Sequence, residues 1–169
     1  MNIILIGFMC TGKDAVGIRL AQKLGMKFIN TDDMIVKKEK KSIPSIFAEH
    51  GEKYFRDVES GVLDTLSGQS NTVVSTGGGI VLMNENTEKL KNLGKVILLK
   101  ASPEVINSRI YNIEDRPLLN IVDELERILK ITQLLDNRSM MYTNASDVEI
   151  DTSDMSIDQV VENIIEAIK

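Results

Sequence analysis

The chain has 169 residues, of which 43% are hydrophobic and 27% are charged. These proportions are typical of a folded globular protein, and the length suits one domain with its own hydrophobic core. The formal net charge of −5 argues against a nucleic-acid partner, because such partners select basic surfaces. The densest basic run, residues 37–41, is interpreted as a solvated helix face. We therefore expect one domain over residues 1–169 that binds no nucleic acid.

Membrane and export signals are absent from the sequence. No apolar stretch approaches the roughly 20 residues that span a membrane, and the N-terminus does not have the layout of a signal peptide. The single cysteine excludes an internal disulfide and suits a reducing compartment. These features predict a cytoplasmic protein without a membrane partner.

Apolar runs alternate with helical patterns along the whole chain, which predicts βα units and a parallel sheet. The fold class is therefore α/β, with helices on both faces of five strands, at about 2–6, 27–30, 72–75, 95–100 and 147–150. Helices are predicted from the loop at Lys13 to Leu24, at 33–40, from Ser42 to near Gly51, at about 52–67, from Ser102 and from Ser156. The last two starts carry an N-cap serine, and Ser156 with Gln159 forms a capping box.

Residues 7–14 read Gly-Phe-Met-Cys-Thr-Gly-Lys-Asp, directly after an apolar run and at the start of a helical pattern. This is the context of a phosphate-binding loop, in which two glycines five apart let backbone N–H groups point at phosphate oxygens. Lys13 is expected to reach the outer phosphates, whereas Asp14 stands where a Ser or Thr hydroxyl normally ligates Mg²⁺. The predicted nucleotide-binding residues of the loop are Gly7, Cys10, Thr11, Gly12, Lys13, Asp14 and Ala15.

Two further segments follow predicted strands and should border the same crevice, because ligands of open α/β sheets bind at the carboxyl ends of strands. Residues 30–33 read Asn-Thr-Asp-Asp, and Asp32 is either a site residue or the N-cap of the helix at 33–40. Residues 76–79 read Thr-Gly-Gly-Gly. Three glycines remove every side chain and let a ligand lie against the backbone.

The region at about 111–122 lacks a regular pattern and contains Asp115-Arg116-Pro117. It is interpreted as a mobile lid over an active site, the alternative being a connecting loop without function. The six arginines are few beside fourteen lysines, and their planar fork matches carboxylates and phosphates. Arg19 and Arg127 are interpreted as surface residues in the middle of helices. The others can converge on a ligand: Arg56, Arg109, Arg116 and Arg138.

Together these elements resemble the shikimate kinase family over essentially the whole chain. The matching elements, in the family's order and spacing, are the phosphate loop, Asn30-Thr31-Asp32, Phe55-Arg56 with Glu59, Ser75 to Gly79, Arg116-Pro117-Leu118-Leu119, and Arg138 followed by Tyr142. The resemblance implies a single-domain P-loop kinase fold with a lid and a substrate-binding helical region at about 32–60. It also implies ATP and Mg²⁺ as cofactors and phosphorylation of the 3-hydroxyl of shikimate, a step of aromatic amino-acid biosynthesis.

The resemblance also implies a role for each matching position. Asp32 would bind two hydroxyls of shikimate and orient the attacking one, and Glu59 would hold Arg56 in place. The substrate carboxylate would be gripped by Arg56 and Arg138, while Gly77, Gly78 and Gly79 pack against the ring. Arg109 would lie against the adenine. The implied catalytic residues are Lys13, Asp32 and Arg116, and the last of these would close over the transferring phosphate.

Three positions depart from the family's pattern. Cys10 replaces a glycine, and is either a tolerated loop residue or a reactive thiol. Asp14 replaces Ser or Thr, and Asn30 replaces an aspartate near the metal. We hypothesise that the carboxylate has moved from position 30 to position 14, so that Asp14 ligates Mg²⁺ directly or through water and Asn30 compensates for it. The resemblance implies that Ser75 contacts the metal through water. The alternative is that Asp14 caps free N–H groups of its own helix and weakens catalysis.

The expected partners are shikimate and ATP or ADP, and the expected state is a monomer. Two alternative functions stay open. One is a catalytically impaired homologue that binds shikimate or nucleotide as a sensor. The other is a different small-molecule P-loop kinase, acting on gluconate or a nucleoside monophosphate. His50, the one histidine, is given no catalytic role.

Overall fold

The computed structural model of the chain describes residues 1–111 and 117–169. Its sheet has five strands in the order β2-β3-β1-β4-β5, and every neighbouring pair is parallel. The strands are β1 Ile3–Ile6, β2 Lys27–Asn30, β3 Thr72–Ser75, β4 Lys95–Lys100 and β5 Val148–Asp151. The predicted five-stranded parallel sheet is confirmed, and each strand agrees with its predicted bounds to within one residue.

The described part of the chain contains seven α-helices and two short 3₁₀ turns. The helices are α1 Lys13–Leu24, α2 Thr31–Glu39, α3 Ile43–Thr65, α4 Asn84–Leu93, α5 Pro103–Ser108, α6 Glu124–Ala145 and α7 Ile157–Ala167. The 3₁₀ turns are Ile80–Leu82 and Pro117–Leu119. The predicted lid at about 111–122 lies partly outside the described residues, which omit 112–116 and therefore Arg116. No helix within residues 1–111 or 117–169 is long and apolar enough to span a membrane.

Several helix ends follow the predicted capping chemistry. Gly25 ends α1 in the left-handed conformation, with φ 64°. The Ser102 side chain accepts a hydrogen bond from the Val105 N–H at the start of α5. Ser156 and Gln159 form the predicted capping box at the start of α7. The two serine caps are strong local signals because each uses a side chain that satisfies an otherwise unpaired backbone N–H group, whereas Gly25 acts through its backbone conformation.

One helix prediction is confirmed and another needs correction. Within α3, Gly51 has non-helical backbone angles, with φ 80° and ψ 174°, so two helices meet there at a kink, as predicted. The predicted N-cap role of Asp32 is wrong, because α2 begins two residues earlier. Its cap is Asn30, whose side-chain oxygen accepts hydrogen bonds from the N–H groups of Asp32 (2.7 Å) and Asp33 (3.3 Å). Because Asn30 caps α2, the Asp32 carboxylate is not used as the cap of this helix.

The central strands are buried on both faces, which explains their continuous apolar runs. On one face, a cluster of buried side chains joins the sheet to α1 and α7, with Leu5, Leu20 and Val161 among its members. On the other face, Ile4, Leu63 and Ile131 belong to a cluster that joins the sheet to α3, α4 and α6. This layering places the carboxyl ends of β1, β2 and β3 at one edge of the sheet, where the predicted motifs meet.

Candidate active site

The phosphate loop joins β1 to α1 and has the positive backbone angles that its glycines allow. Gly7 has φ 144° and Gly12 has φ 95°. Cys10 also lies in the left-handed region, with φ 61°, where a residue with a Cβ is strained and glycine is not. The Lys13 ammonium group donates to the carbonyl oxygens of Gly7 (2.9 Å) and Phe8 (2.8 Å). The Lys13 side chain therefore lies back across the loop and bonds to its first two residues.

A cleft of about 490 Å³ lies over this loop. Of the predicted nucleotide-binding residues, Gly7 shapes the loop without lining the cleft, and Arg116 lies outside the described residues. The others all line it: Cys10, Thr11, Gly12, Lys13, Asp14, Ala15 and Arg109. The far wall adds residues that the sequence did not single out, namely Thr152, Met155, Ile157 and Val160.

Arg109 is tied to the loop through Thr152. Its guanidinium group donates to the Cys10 carbonyl (3.3 Å), the Thr152 hydroxyl (3.2 Å) and the Thr152 carbonyl (3.0 Å). The buried Thr152 hydroxyl also lies 3.1 Å from the Thr11 carbonyl oxygen. Thr152 follows β5 directly, so its position at the carboxyl end of a strand was a signal that sequence reasoning missed.

The carboxylate of Asp14 is held by two side chains from the sheet. The Ser75 hydroxyl donates to Asp14 Oδ1 at 2.5 Å, and the Asn30 amide nitrogen donates to the same oxygen at 3.0 Å. Asn30 and Ser75 are direct register partners on β2 and β3, which is why both reach one oxygen. The structure therefore brings together the three residues predicted to surround a metal.

Asp14 does not cap its own helix. The N-cap of α1 is Gly12, and no side-chain hydrogen bond caps this helix within the described residues. The carboxylate points instead to the sheet, as its contacts with Ser75 and Asn30 show. No group of three or more His, Cys, Asp or Glu side chains that could hold a metal occurs in residues 1–111 and 117–169.

A second pocket of about 150 Å³ adjoins the cleft. The two share four lining residues, Met9, Asp32, Gly77 and Gly78. The second pocket is otherwise lined by apolar side chains and by three charged ones, Arg56, Glu59 and Arg138. Asp32 thus lies where the two pockets meet, and both arginines line the second pocket but not the cleft.

Arg56 and Glu59 form a buried ion pair in α3. The distance from Arg56 Nη1 to Glu59 Oε2 is 2.7 Å, and Glu59 is fully buried. Burial raises the pKa of the Glu59 carboxyl, and the Arg56 guanidinium opposes this shift. The pair holds the Arg56 guanidinium group at the wall of the second pocket, which is the role that the resemblance implied for Glu59.

Two glycines of the 77–79 turn, Gly77 and Gly79, lie against different charged side chains. A Cβ at Gly77 would lie 2.6 Å from Glu59 Oε1 and 2.8 Å from Asp32 Oδ1, which is shorter than real Cβ contacts. At Gly79 a Cβ would collide with the Arg56 guanidinium group. The sequence predicted bare backbone for a ligand, and the structure adds that the protein's own charged side chains need the same space.

Arg138 and Tyr142, one turn apart on α6, close the site from above the glycine turn. Arg138 is buried, its Cζ lies 5.6 Å from the centroid of the Phe8 ring, and its Nη1 donates to the Gly78 carbonyl at 3.5 Å. The Tyr142 hydroxyl donates to the same carbonyl. Burial raises the pKa of Tyr142 to about 12, so this donor keeps its proton at neutral pH.

Arg19 and Arg127 differ from each other, although the sequence treated them alike. Arg19 is exposed and pairs with Asp158 at 2.7 Å. Arg127 is half-buried and lies near the start of α6 rather than in the middle of a helix. Its guanidinium group donates to Asn107 Oδ1 (2.6 Å) and to the Ile121 carbonyl (2.6 Å), which fastens the segment before α6 to α5.

Comparison with known proteins gives one consistent result. A profile of the family described as shikimate kinase matches residues 9–169. A shikimate kinase of Pelotomaculum thermopropionicum is 47% identical over 168 residues, covering 99% of this chain and 95% of that protein. One of Caldanaerobacter subterraneus is 44% identical over 166 residues, covering 98% and 95%.

Solved structures agree with the sequence matches. The shikimate kinase of Acinetobacter baumannii in complex with shikimate superposes with a TM-score of 0.92 at 34% identity, covering 99% of this chain and 92% of that one. The shikimate kinase of Aquifex aeolicus gives a TM-score of 0.83 at 36% identity, covering 99% and 96%.

Proposed function

The chain belongs to the shikimate kinase family, and from this premise we propose that it transfers the terminal phosphoryl group of ATP to the 3-hydroxyl of shikimate. The family predicted from the motifs is confirmed, as is the α/β fold class. One observation carries the proposed reaction: Asp32 lies at the junction between the phosphate-loop cleft and a pocket lined by two arginines. A hydroxyl held at Asp32 would face the phosphate loop on one side.

The second pocket suits an anionic, hydroxylated ring. Arg56 and Arg138 supply two guanidinium groups for a carboxylate, which they can bind with paired hydrogen bonds. The backbone at residues 77–79 offers a flat surface for the ring. Asp32 is the carboxylate that can accept hydrogen bonds from substrate hydroxyls and orient the attacking one.

The phosphate loop supplies the other half of the reaction. Its N–H groups and Lys13 would bind the nucleotide phosphates and stabilise charge on the moving phosphoryl group. Arg109, fixed by Cys10 and Thr152, lies where it can cover the adenine. We propose Arg116, which lies outside the described residues, as the arginine of a lid over the transferring phosphate at about 111–122. Closure of such a lid would exclude water and limit ATP hydrolysis.

The residues around Asp14 fit a magnesium ion bound chiefly by nucleotide. Mg²⁺ is usually held by one or two carboxylates together with substrate phosphates and water. Asp14 supplies one carboxylate, and Asn30 and Ser75 are neutral groups beside it. When bound, Mg²⁺ would neutralise charge on the phosphate oxygens. Asp14 would orient this complex, while Ser75 and Asn30 hold the Asp14 carboxylate in place.

The alternative of a catalytically impaired homologue assumed that the Asp14 carboxylate occupies the phosphate-binding N–H groups of its own helix. The contacts of Asp14 with the sheet support the working kinase instead. The match to shikimate kinases over nearly the full chain disfavours a gluconate or nucleoside-monophosphate kinase. The cytoplasmic location and the monomeric state stay predictions.

The test is a coupled assay of ADP release with ATP, Mg²⁺ and shikimate, with the phosphorylated position of the product identified by NMR. We expect turnover with shikimate, phosphate on the 3-oxygen, and no turnover with gluconate or nucleoside monophosphates. Lys13→Met should abolish activity, and Asp33→Asn, an exposed carboxylate outside both pockets, should retain it. Shikimate binding without turnover would instead indicate a sensor.

A further inference from the structure

The charges that line the described part of the nucleotide cleft cancel each other. Its charged lining residues are two cations, Lys13 and Arg109, and two anions, Asp14 and Asp32. A phosphate loop at a helix N-terminus normally attracts free anions through its N–H groups and its lysine. Here a carboxylate occupies the second position of that helix. A phosphate that approaches the loop therefore encounters the negative charge of Asp14 next to the positive charge of Lys13.

The Asp14 carboxylate cannot easily turn away from the cleft. Its Oδ1 accepts hydrogen bonds from Ser75 and Asn30. The Asn30 amide is oriented in turn, because its oxygen accepts from the N–H groups of Asp32 and Asp33, so that its nitrogen must face Asp14. Asp14 Oδ2 has no hydrogen-bond partner among residues 1–111 and 117–169, and the side chain is exposed on the cleft wall.

We propose that Asp14 makes this loop selective for nucleotide already complexed with a divalent cation, and that it repels metal-free nucleotide and simple phosphate anions. A carboxylate beside phosphate oxygens is repulsive, whereas a divalent cation between the two anions attracts both. The proposal rests on the proposed function, since it concerns the nucleotide site of the kinase. It assigns Asp14 a specificity that a Ser or Thr hydroxyl at this position would not provide.

A purely structural role for Asp14 makes a different prediction. In that case its function is to join α1 to the ends of β2 and β3, and its removal weakens nucleotide binding equally with and without metal. The Asp14→Asn variant separates the two roles. It keeps an oxygen that can accept from Ser75 and Asn30 but removes the charge.

The experiment measures ADP and pyrophosphate binding by isothermal titration calorimetry, in Mg²⁺ and in EDTA. The parent protein should bind ADP at least about tenfold more tightly in Mg²⁺ than in EDTA, given the size of charge repulsion at short range. In Asp14→Asn this ratio should fall to about threefold or less, because binding in EDTA becomes tighter. Pyrophosphate in EDTA should likewise bind more tightly to the variant. Asp14→Ser is the second variant and should behave in the same way.

Asp33→Asn is the matched control, because it removes one exposed carboxylate from the same edge of the sheet but does not line the cleft. It should keep the parent's metal ratio. An unchanged ratio in Asp14→Asn, or an equal loss of affinity in both buffers, overturns the proposal. If the parent phosphorylates shikimate while ADP binding is insensitive to metal, this inference fails and the proposed function stands. If the parent binds no ADP in either buffer, both fail.

Discussion

Asn30 joins the start of α2 to the phosphate loop, since its side-chain oxygen caps the helix while its nitrogen donates to Asp14 at 3.0 Å. An aspartate could cap the same helix but has no N–H group to donate. It would also place a second negative charge within hydrogen-bond distance of Asp14. The residues at positions 14 and 30 are therefore coupled, which supports the hypothesis that one carboxylate was moved rather than lost.

The coupling predicts a rescue. Asn30→Asp should lower kcat/KM for MgATP, because two carboxylates at about 4 Å repel by about 4 kcal/mol at an effective dielectric of 20, less where solvent screens them. Asp14→Ser in the same chain should restore most of the loss. The measurement is a double-mutant cycle of kcat/KM across Mg²⁺ concentrations. Additive effects of the two substitutions would show that the positions act independently.

The glycine turn allows a test of the second pocket. Gly79→Ala should weaken shikimate binding at least about tenfold, because the new methyl displaces the Arg56 guanidinium group and a lost charge-assisted hydrogen bond is worth about 1.5–3 kcal/mol. Gly79 has φ −102°, so the backbone itself accepts alanine. ADP binding should change little. The readout is calorimetric titration with each ligand.

Gly61→Ala is the matched control for that substitution. Gly61 lies within α3, where an added Cβ would meet only the Lys38 ammonium group at 3.8 Å. Shikimate binding should be unchanged, and the helix should gain roughly 0.5–1 kcal/mol of stability. Equal weakening of shikimate binding by both alanines would contradict the steric explanation.

The sequence was sufficient to predict the fold class because its signals were local. Buried parallel strands appear as apolar runs, and cap residues such as Ser102 and Ser156 mark helix starts by their own hydrogen bonds. The phosphate loop could also be predicted, because it carries distinctive residue types between a strand and a helix. The roles of the second-pocket residues Arg56 and Arg138, which lie inside α3 and α6, came from the family resemblance.

Other features depend on contacts between segments far apart in the chain. Asp32 and Asn30 are both good N-cap residues, and the structure uses Asn30, whose side-chain nitrogen also donates to Asp14. Thr152 is a common residue type and gains its role from meeting Arg109 across 43 positions of sequence. Arg127 has the neighbours of a surface residue in sequence but faces α5 in space.

Tyr142 predicts a dependence of stability on alkaline pH. Its pKa is about 12 in the folded protein against about 10 in an unfolded chain. Below pH 10 the Tyr142 hydroxyl keeps its proton in both the folded and the unfolded protein, so stability does not depend on its ionisation. Between pH 10 and about 12 the unfolded state alone ionises, so stability falls with rising pH. The total loss is about 2–3 kcal/mol.

Denaturant unfolding across that pH range measures this contribution, with Tyr142→Phe as the comparison. The variant should be less stable at neutral pH, having lost the hydrogen bond to Gly78, but should show a shallower alkaline decline. Near-ultraviolet titration should show one phenol fewer with a pKa of about 12. A decline of the same slope in both proteins would assign it to other groups.

Arg127 predicts a local effect on the segment that leads into α6. Arg127→Met keeps the length of the side chain but removes the hydrogen bonds to Asn107 and Ile121. Stability should fall by about 2 kcal/mol, the usual cost of losing charge-assisted hydrogen bonds at a half-buried site. Amide hydrogen exchange should accelerate at residues 120–123 more than in the sheet, because their backbone loses its tie to α5.

Arg19→Met is the matched control, since Arg19 is an equally long side chain in an exposed ion pair with Asp158. It should cost no more than about 0.5 kcal/mol, as exposed pairs do, and leave exchange at 120–123 unchanged. Shikimate and ADP affinities should survive both substitutions, because neither arginine lines either pocket. If Arg127→Met lowers kcat while both affinities hold, the anchored segment contributes to closing the site. If Arg127→Met and Arg19→Met have equal unfolding free energies and equal amide exchange rates at residues 120–123, the hydrogen bonds of Arg127 do not anchor this segment.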